Sequence, residues 1–334
     1  MKQILTAFSL FFALGVQAQQ AGYSVLNTFH IASSGGWDYI YADPGSNHLY
    51  VSHGTQVNVL DKKTGDSLGV IPNTTGVHGI AVDHKAGKGY TSNGRLNTVT
   101  VFDLKTLAVL GQISTGQNPD AIFFDDYSGK VITCNGRSQS LSVIDPVAGK
   151  VVATIPVGGK PETAVSDGKG QVYVNIEDKS EIADVDMRLD SVVKRWSIAP
   201  GESPSGLAMD RRTRRLYSGC EDQMLIVSDP DQGKVVAQVP IGQGCDGVGF
   251  DPGLKRVYSS NGGSGTLTVI TEKSADVYEV LANVTTKRGA RTNSVDPSSH
   301  RIYLPTAEFE STTPPGQRRP PMVPGSFQVL EVGQ

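Results

Sequence analysis

An excess of charge of either sign is what this chain most clearly lacks. Lysine and arginine number 30 against 33 acidic residues, a formal net charge of -3. With no basic surplus to attract a polyanion, nucleic acid is not an expected partner. Cysteine is scarce as well. Cys134, Cys220 and Cys245 are the whole supply, and no pair has the Cys-x-x-Cys spacing of a structural metal site. In an oxidising compartment three cysteines leave room for one disulfide, Cys220–Cys245, with Cys134 buried and left over; three buried thiols are the alternative. Long apolar runs stop after the first eighteen residues, so no transmembrane segment is expected. No window beyond that start carries a helical period. Gly-x-Ser-x-Gly, His-Glu-x-x-His and phosphate-loop motifs are absent, which removes the commonest signatures of hydrolases and nucleotide-dependent enzymes.

What the chain does have is glycine, 38 residues in 334, together with 18 prolines and only 19% charged residues. Glycine at that level without a collagen-like period implies many tight turns. The start reads as an export leader. Lys2 supplies the positive charge, residues 4–16 are mostly apolar, and Val16-Gln17-Ala18 is a small-residue cleavage site. Residues 1–18 are therefore predicted to be a signal peptide, and residues 19–334 a single periplasmic or secreted domain, expected as a monomer.

One aspartate recurs at the end of a short apolar run: Asp43, Asp83, Asp125, Asp167, Asp210, Asp251 and Asp296, spaced 40 to 45 residues apart. Six or seven residues later comes a second marker: Tyr50, Tyr90, Ile132, Tyr173, Tyr217, Tyr258 and Tyr303. A third run follows, as in Val57-Asn58-Val59-Leu60-Asp61 and Leu141-Ser142-Val143-Ile144-Asp145, and a fourth closes most units. These runs are β-branched or aromatic and bounded by Gly, Asp, Asn or Pro, the pattern of strands joined by tight turns. A forty-residue period of four strands predicts an all-β, seven-bladed β-propeller with four antiparallel strands per blade. The seventh unit lacks an outer strand, and residues 23–31 supply one. The N-terminal strand is thus expected to close the last blade and leave no open edge.

The phrases Asn118-Pro119-Asp120-Ala121, Leu141-Ser142-Val143-Ile144-Asp145 and Val151-Val152-Ala153-Thr154-Ile155-Pro156-Val157-Gly158 resemble the YVTN (YncE-like) propeller repeat. The resemblance covers essentially the whole of residues 19–334. It implies the fold and an exported bacterial protein, and no particular reaction.

In such a blade, the loop entering the innermost strand and the loop joining the second and third strands emerge on one face. Five residues before each repeat aspartate stand Asp38, His78, Asp120, Glu162, Ser205, Asp246 and Arg291. Six of these seven can ionise, which a strand start has no structural need for. A ring of ligand-binding residues at the channel mouth is therefore expected, with a solvated rim as the plainer alternative. The second loop adds Asn93, Arg95, Asn135, Arg137, Glu177, Asp178, Glu221, Asp222, Asn261 and Glu308. Its arginines fall on blades two and three and its acid pairs on blades four and five, giving a two-signed rim. Asn-Gly at Asn93, Asn135 and Asn261 is also favoured turn chemistry with positive φ. The last blade carries a Pro-rich insertion, residues 309–325, that cannot pair as a strand. Its position beside the mouth, with Arg318 and Arg319, suits a lid, a docking arm or a disordered flap.

Three functions fit this inventory. The first is binding of a small polar ligand, a glycan or an envelope protein at the mouth. The second is a metal-dependent hydrolase or lyase, lactonase-like, with His78 as general base and His78, Asp120, Glu162 and Asp246 as candidate ligands of a divalent metal. The third is an envelope interaction scaffold docking through residues 309–325.

Overall fold

The computed structural model describes residues 22–33, 35–314, 316 and 320–334. The expected leader lies outside the described residues, as do Arg318 and Arg319.

Each repeat aspartate works first as a turn cap. Asp43 Oδ1 accepts from the Gly45 amide at 2.9 Å, Asp125 Oδ2 from Ser128 at 2.9 Å and Asp251 Oδ1 from Gly253 at 2.8 Å. An Asp side chain mimicking a backbone acceptor fixes the hairpin, and this explains its recurrence at the end of each inner strand. The apolar runs around these turns form seven four-stranded antiparallel sheets. Blade 3 is representative: Pro119–Asp125 lies innermost, followed outward by Lys130–Asn135, Ser140–Asp145 and Lys150–Pro156. Among the described residues the sole helical segment is a 3-10 turn, Glu177–Lys179.

The seventh sheet is composite. Its outermost strand is Ser24–His30, paired antiparallel to Gln328–Gly333 from Ser24 opposite Gly333 to His30 opposite Gln328. The expected N-terminal closure is present.

Packing decides between a ring and a line. Seven apolar clusters fill the structure, and each joins two neighbouring blades. A linear stack of seven sheets has six seams. The seventh seam sets Phe29, Tyr303 and Phe327 of the last blade against Ile40, Leu49 and Val51 of the first. Six of the marker residues, the tyrosines of the second strands, are fully buried. Burying each large apolar side chain contributes about 1.5–3 kcal/mol, so the ring closes on its core as well as on its backbone ladder. The molecule is an all-β, seven-bladed propeller.

At the periphery the three cysteines are the buried thiols of the alternative reading, and one expectation about the insertion needs correction. Cys220 and Cys245 form no disulfide; all three cysteines are free and buried. The Cys220 side chain packs into the seam between blades 4 and 5, while Cys245 packs into the seam between blades 5 and 6. The Cys220 thiol donates to the Ser218 carbonyl, and Cys245 engages the Ser259 hydroxyl and the Gly247 carbonyl. Burial pushes the Cys245 thiol up to about 12 and that of Cys220 higher still. The Pro-rich insertion does pair, briefly: Phe309 bridges Met322, the Glu310 amide donates to Pro321 O and Val323 to Glu308 O, both at 2.9 Å. Its base folds back over the ring, with Phe309 6.0 Å from Trp37.

Candidate binding site at the channel mouth

The inner strands begin irregularly. In blades 2 to 6 their pairing slips between Val77 and Ile80, Pro119 and Ile122, Pro161 and Ala164, Pro204 and Leu207, and Cys245 and Gly247. A bulge re-aims the side chain it carries. Here the re-aimed residues are His78, Asp120, Glu162, Ser205 and Asp246, the ring positions themselves.

Six of the seven ring residues join into a continuous polar belt. His78 Nδ1 lies 2.5 Å from Asp38 Oδ2 and 3.5 Å from Asp120 Oδ1. Arg291 continues it, with Nη2 3.0 Å from Asp38 Oδ1 and Nε 2.6 Å from Asp246 Oδ2. Ser205 then donates to Asp246 Oδ1 at 2.5 Å. Glu162 stands apart and pairs with Lys160 at 3.0 Å; Lys160 also binds Glu177. Asp178 caps the Lys160 amide at 2.7 Å.

The floor of the mouth is Tyr39. Its hydroxyl reaches across the channel to Thr163 in blade 4, 3.3 Å away. A cavity of about 560 Å³ in the channel is lined by Tyr39 together with Tyr41, Val82, Phe124, Met209, Phe250 and Val295.

Burial and charge crowding then set the protonation pattern. Burial pushes the Asp38 carboxyl up, but the His78 hydrogen bond and the Arg291 charge outweigh it and hold the group below its usual value. Burial likewise pulls His78 down, and its bonds to Asp38 and the nearby Asp120 reverse that, so the imidazole is held protonated to higher pH. Asp120 is raised to about 7 by burial and then by the Asp38 charge. Glu162 is raised to about 9 by burial and then by Asp120. Tyr39 is pushed well above its ordinary value by burial and by the surrounding carboxylates of Asp120, Glu162, Asp38 and Asp246. Asp120 Oδ1 is buried and has no hydrogen-bond partner.

The second loops behave less uniformly. Arg95 and Arg137 are exposed in the loops that follow the second strands of blades 2 and 3. Glu221 is exposed too, and Asp222 is half-buried. Glu308 is tied to Lys287 and accepts from Gln328 at 3.1 Å. Asn93, Asn135 and Asn261 do not belong to the mouth. Each is buried at the end of a second strand and clamps the hydroxyls of its own blade, Asn135 accepting from Thr133 at 2.9 Å and donating to Ser142 at 2.9 Å. His53 occupies the same strand position in blade 1 and is equally buried, stacked on Phe327 at 3.8 Å. Nor do the Asn-Gly pairs adopt positive φ. Their glycines serve close approach: a Cβ on Gly94 would meet His78 Nε2 at 2.6 Å, and one on Gly262 would meet Arg291 Cβ at 2.6 Å.

The metal set is also different from expectation. Asp38, His78 and Asp120 have ligand atoms within 4.8 Å of one another; Glu162 and Asp246 are not in that group, and pair with Lys160 and Arg291 respectively. Residues missed in the sequence are Tyr39, Thr163 and Lys160. The last had a signal, since Lys160-Pro161-Glu162 places a cation two residues from a ring acid.

No family model matches the chain, and no curated protein matches it in sequence. Solved structures do. A chain of hydrazine synthase from Kuenenia stuttgartiensis is similar with a TM-score of 0.72 and 16% identity, covering 82% of this chain and 94% of that one. The likeness is one of fold. A chain of the mitotic checkpoint complex is similar with a TM-score of 0.71 and 13% identity, covering 91% and 94% respectively. At such identities the propeller is shared and the site need not be.

Proposed function

We propose that this propeller is an exported binding protein whose channel mouth takes a small polar ligand offering positive charge. The reading is carried by one observation: ring residues from six blades converge into a belt, yet a buried carboxylate oxygen, Asp120 Oδ1, is left without a hydrogen bond. A buried acceptor left unmade costs about 1–3 kcal/mol, which a ligand donor would recover. The cations of the belt are already engaged, His78 and Arg291 by Asp38 and Asp246. The open acceptor capacity therefore lies on the acidic side. Export is supported by the leader-like residues 1–18, and membership of the YVTN (YncE-like) family by the repeat phrases; among the described residues no helix is long and apolar enough to cross a membrane.

A panel of small amines, amino sugars and divalent salts, screened by thermal shift, tests the reading. A ligand that raises the melting temperature should lose most of its effect in Asp120→Asn and Asp38→Asn. If its shift survives both substitutions, the mouth is not the site. A hydrolase or lyase reading draws on the same His78, set between two carboxylates. Turnover of a lactone or glycan in the same screen, lost in His78→Ala, would replace binding by catalysis.

A further inference from the structure

We propose that Asp38, His78 and Asp120 form a three-ligand site for a single divalent transition-metal ion, of the zinc or manganese type, at the channel mouth. The inference rests on the reading of the mouth as a binding site and names what is bound there. Three independent blades deliver the three donors. Asp38 precedes the inner strand of blade 1, His78 opens that of blade 2 and Asp120 that of blade 3. Their ligand atoms lie within 4.8 Å of one another. Zinc binds nitrogen and carboxylate oxygen at about 2.0–2.2 Å, so donors on one ion sit up to roughly 4.4 Å apart. The 3.5 Å between His78 Nδ1 and Asp120 Oδ1 already suits two donors on one ion, and the 2.5 Å His78–Asp38 contact opens by about 0.5–1 Å as the ion enters.

Each donor is presented in the right sense. Asp38 offers Oδ2, because its other oxygen is held by Arg291 at 3.0 Å. Arg291 is itself fixed by Asp246 at 2.6 Å and by the Trp37 carbonyl at 3.0 Å. Such second-layer hydrogen bonds orient metal-binding carboxylates and are part of the site rather than an accident of it. His78 offers Nδ1, since Nε2 lies against Gly94, where no side chain intervenes. Asp120 offers the buried Oδ1 that lacks a hydrogen bond and sits 3.5 Å from His78 Nδ1. That unmade bond is separate from the clustering and points to the same place.

The donor set argues the metal class. One imidazole and two carboxylates suit zinc or manganese better than calcium, which takes six to eight oxygens, or magnesium, which prefers oxygen and water. Two carboxylates balance a doubly charged ion, and three protein ligands leave positions open for water or a polar ligand. The ion replaces the proton between His78 Nδ1 and Asp38 Oδ2, and that proton leaves to solvent.

The full chain, stripped by dialysis against a chelator, is titrated with ZnCl2 and with MnCl2 by calorimetry, and its metal content is measured after desalting. One ion per chain is expected. His78→Gln and Asp120→Asn should each weaken binding at least tenfold, while His84→Ala, removing a half-exposed histidine that pairs with Asp43, should leave it within twofold. Because a mouth variant could misfold, wild-type protein supplies a second readout: zinc should shift the ring nitrogens of His78 and spare the other five histidines in 15N spectra. Absence of ion binding, with an amine from the panel still stabilising the protein through Asp120, overturns the metal and keeps the mouth. Binding that is indifferent to His78→Gln and Asp120→Asn overturns the metal site as well. If neither ions nor panel ligands bind, both readings fall.

Discussion

Asn135 presents no surface to solvent, and its side chain spends every polar atom inside blade 3. It accepts from Thr133 at 2.9 Å and donates to Ser140 and Ser142 at 3.3 and 2.9 Å. Asn93 and Asn261 repeat the arrangement with Thr91, Thr98 and Thr100, and with Ser259, Thr266 and Thr268. An amide, with donors and acceptor at opposite ends, is the one short side chain that serves such a clamp. Asn135→Ala should therefore lower stability by about 2–3 kcal/mol, since hydroxyls are left unpaired in the interior. A urea unfolding curve measures it, and a loss below about 0.5 kcal/mol would deny the clamp. Ligand shifts at the mouth should be unaffected. This position marks where sequence reasoning lost its grip on the site. The residue ending the second strand points into the blade stack, whereas Arg95 and Arg137, two residues later, stand in water. In a strand a one-residue difference reverses the face, and a loop boundary read from sequence is not that sharp.

At the scale of the strand the pattern is plainer. Apolar runs ending in aspartate stood out because each aspartate is needed by its own hairpin amides, as at Asp251 with Gly253 and Leu254. The ring positions were legible for a related reason: the slipped pairing at the inner-strand starts of blades 2 to 6 tolerates an ionisable residue that a regular strand would refuse, and Asp38 and Arg291 lie just before their strands. What pattern could not convey is which charges meet. Asp184 shows the cost of a pair that fails to form. It lies opposite Lys194 in blade 4, yet the Lys194 ammonium donates to the Pro230 and Asp231 carbonyls of blade 5 instead, at 3.0 and 2.9 Å. Asp184 Oδ1 is left buried and unpaired. Burial raises its pKa to about 6, against the pull of Lys194 and with a push from Asp167. Below pH ~4 folded and unfolded chains both hold this proton, and the group is neutral to stability. As pH rises from ~4 to about 6 the unfolded chain releases it first, so stability falls across that window and the penalty is complete above it. A shift of this size corresponds to roughly 2–3 kcal/mol. Asp184→Asn should thus raise the melting temperature at pH 7.5 and do nothing at pH 3.5. An equal gain at both pH values would assign the effect to packing.

For the whole molecule the decisive contact is where the ends of the ring meet, and it is unlike the other seams. Several repeat aspartates are met by a side chain from the next blade: Asp43 by His84 at 2.8 Å, Asp251 by His300 at 2.7 Å, Asp167 by Arg214 at 3.2 Å. Those partners are partly exposed. At the closure, Lys62 of blade 1 reaches Asp296 of blade 7 at 3.0 Å with both side chains almost wholly buried. The ammonium also donates to the Asp43 carbonyl at 2.7 Å, and the Tyr303 hydroxyl donates to the Lys62 carbonyl at 2.8 Å. Burial pushes the Asp296 carboxyl up, but its bonds to Ser298, Lys62 and Ser299 overcome this and keep it ionised. A buried charge that loses its partner costs about 3–5 kcal/mol, while a pair removed together costs far less. Lys62→Met should then destabilise the protein by roughly that amount, and Lys62→Met with Asp296→Asn should recover a large part of it. The seam is also where the backbone ladder of Ser24–His30 joins the chain to itself. Loss at this pair should therefore appear as early hydrogen exchange in Ser24–His30 and Gln328–Gly333 rather than across all blades. Exchange that rises evenly around the ring, or a Lys62→Met penalty below 1 kcal/mol, would mean that the apolar seam of Phe29, Tyr303 and Phe327 closes the propeller without help from the ion pair.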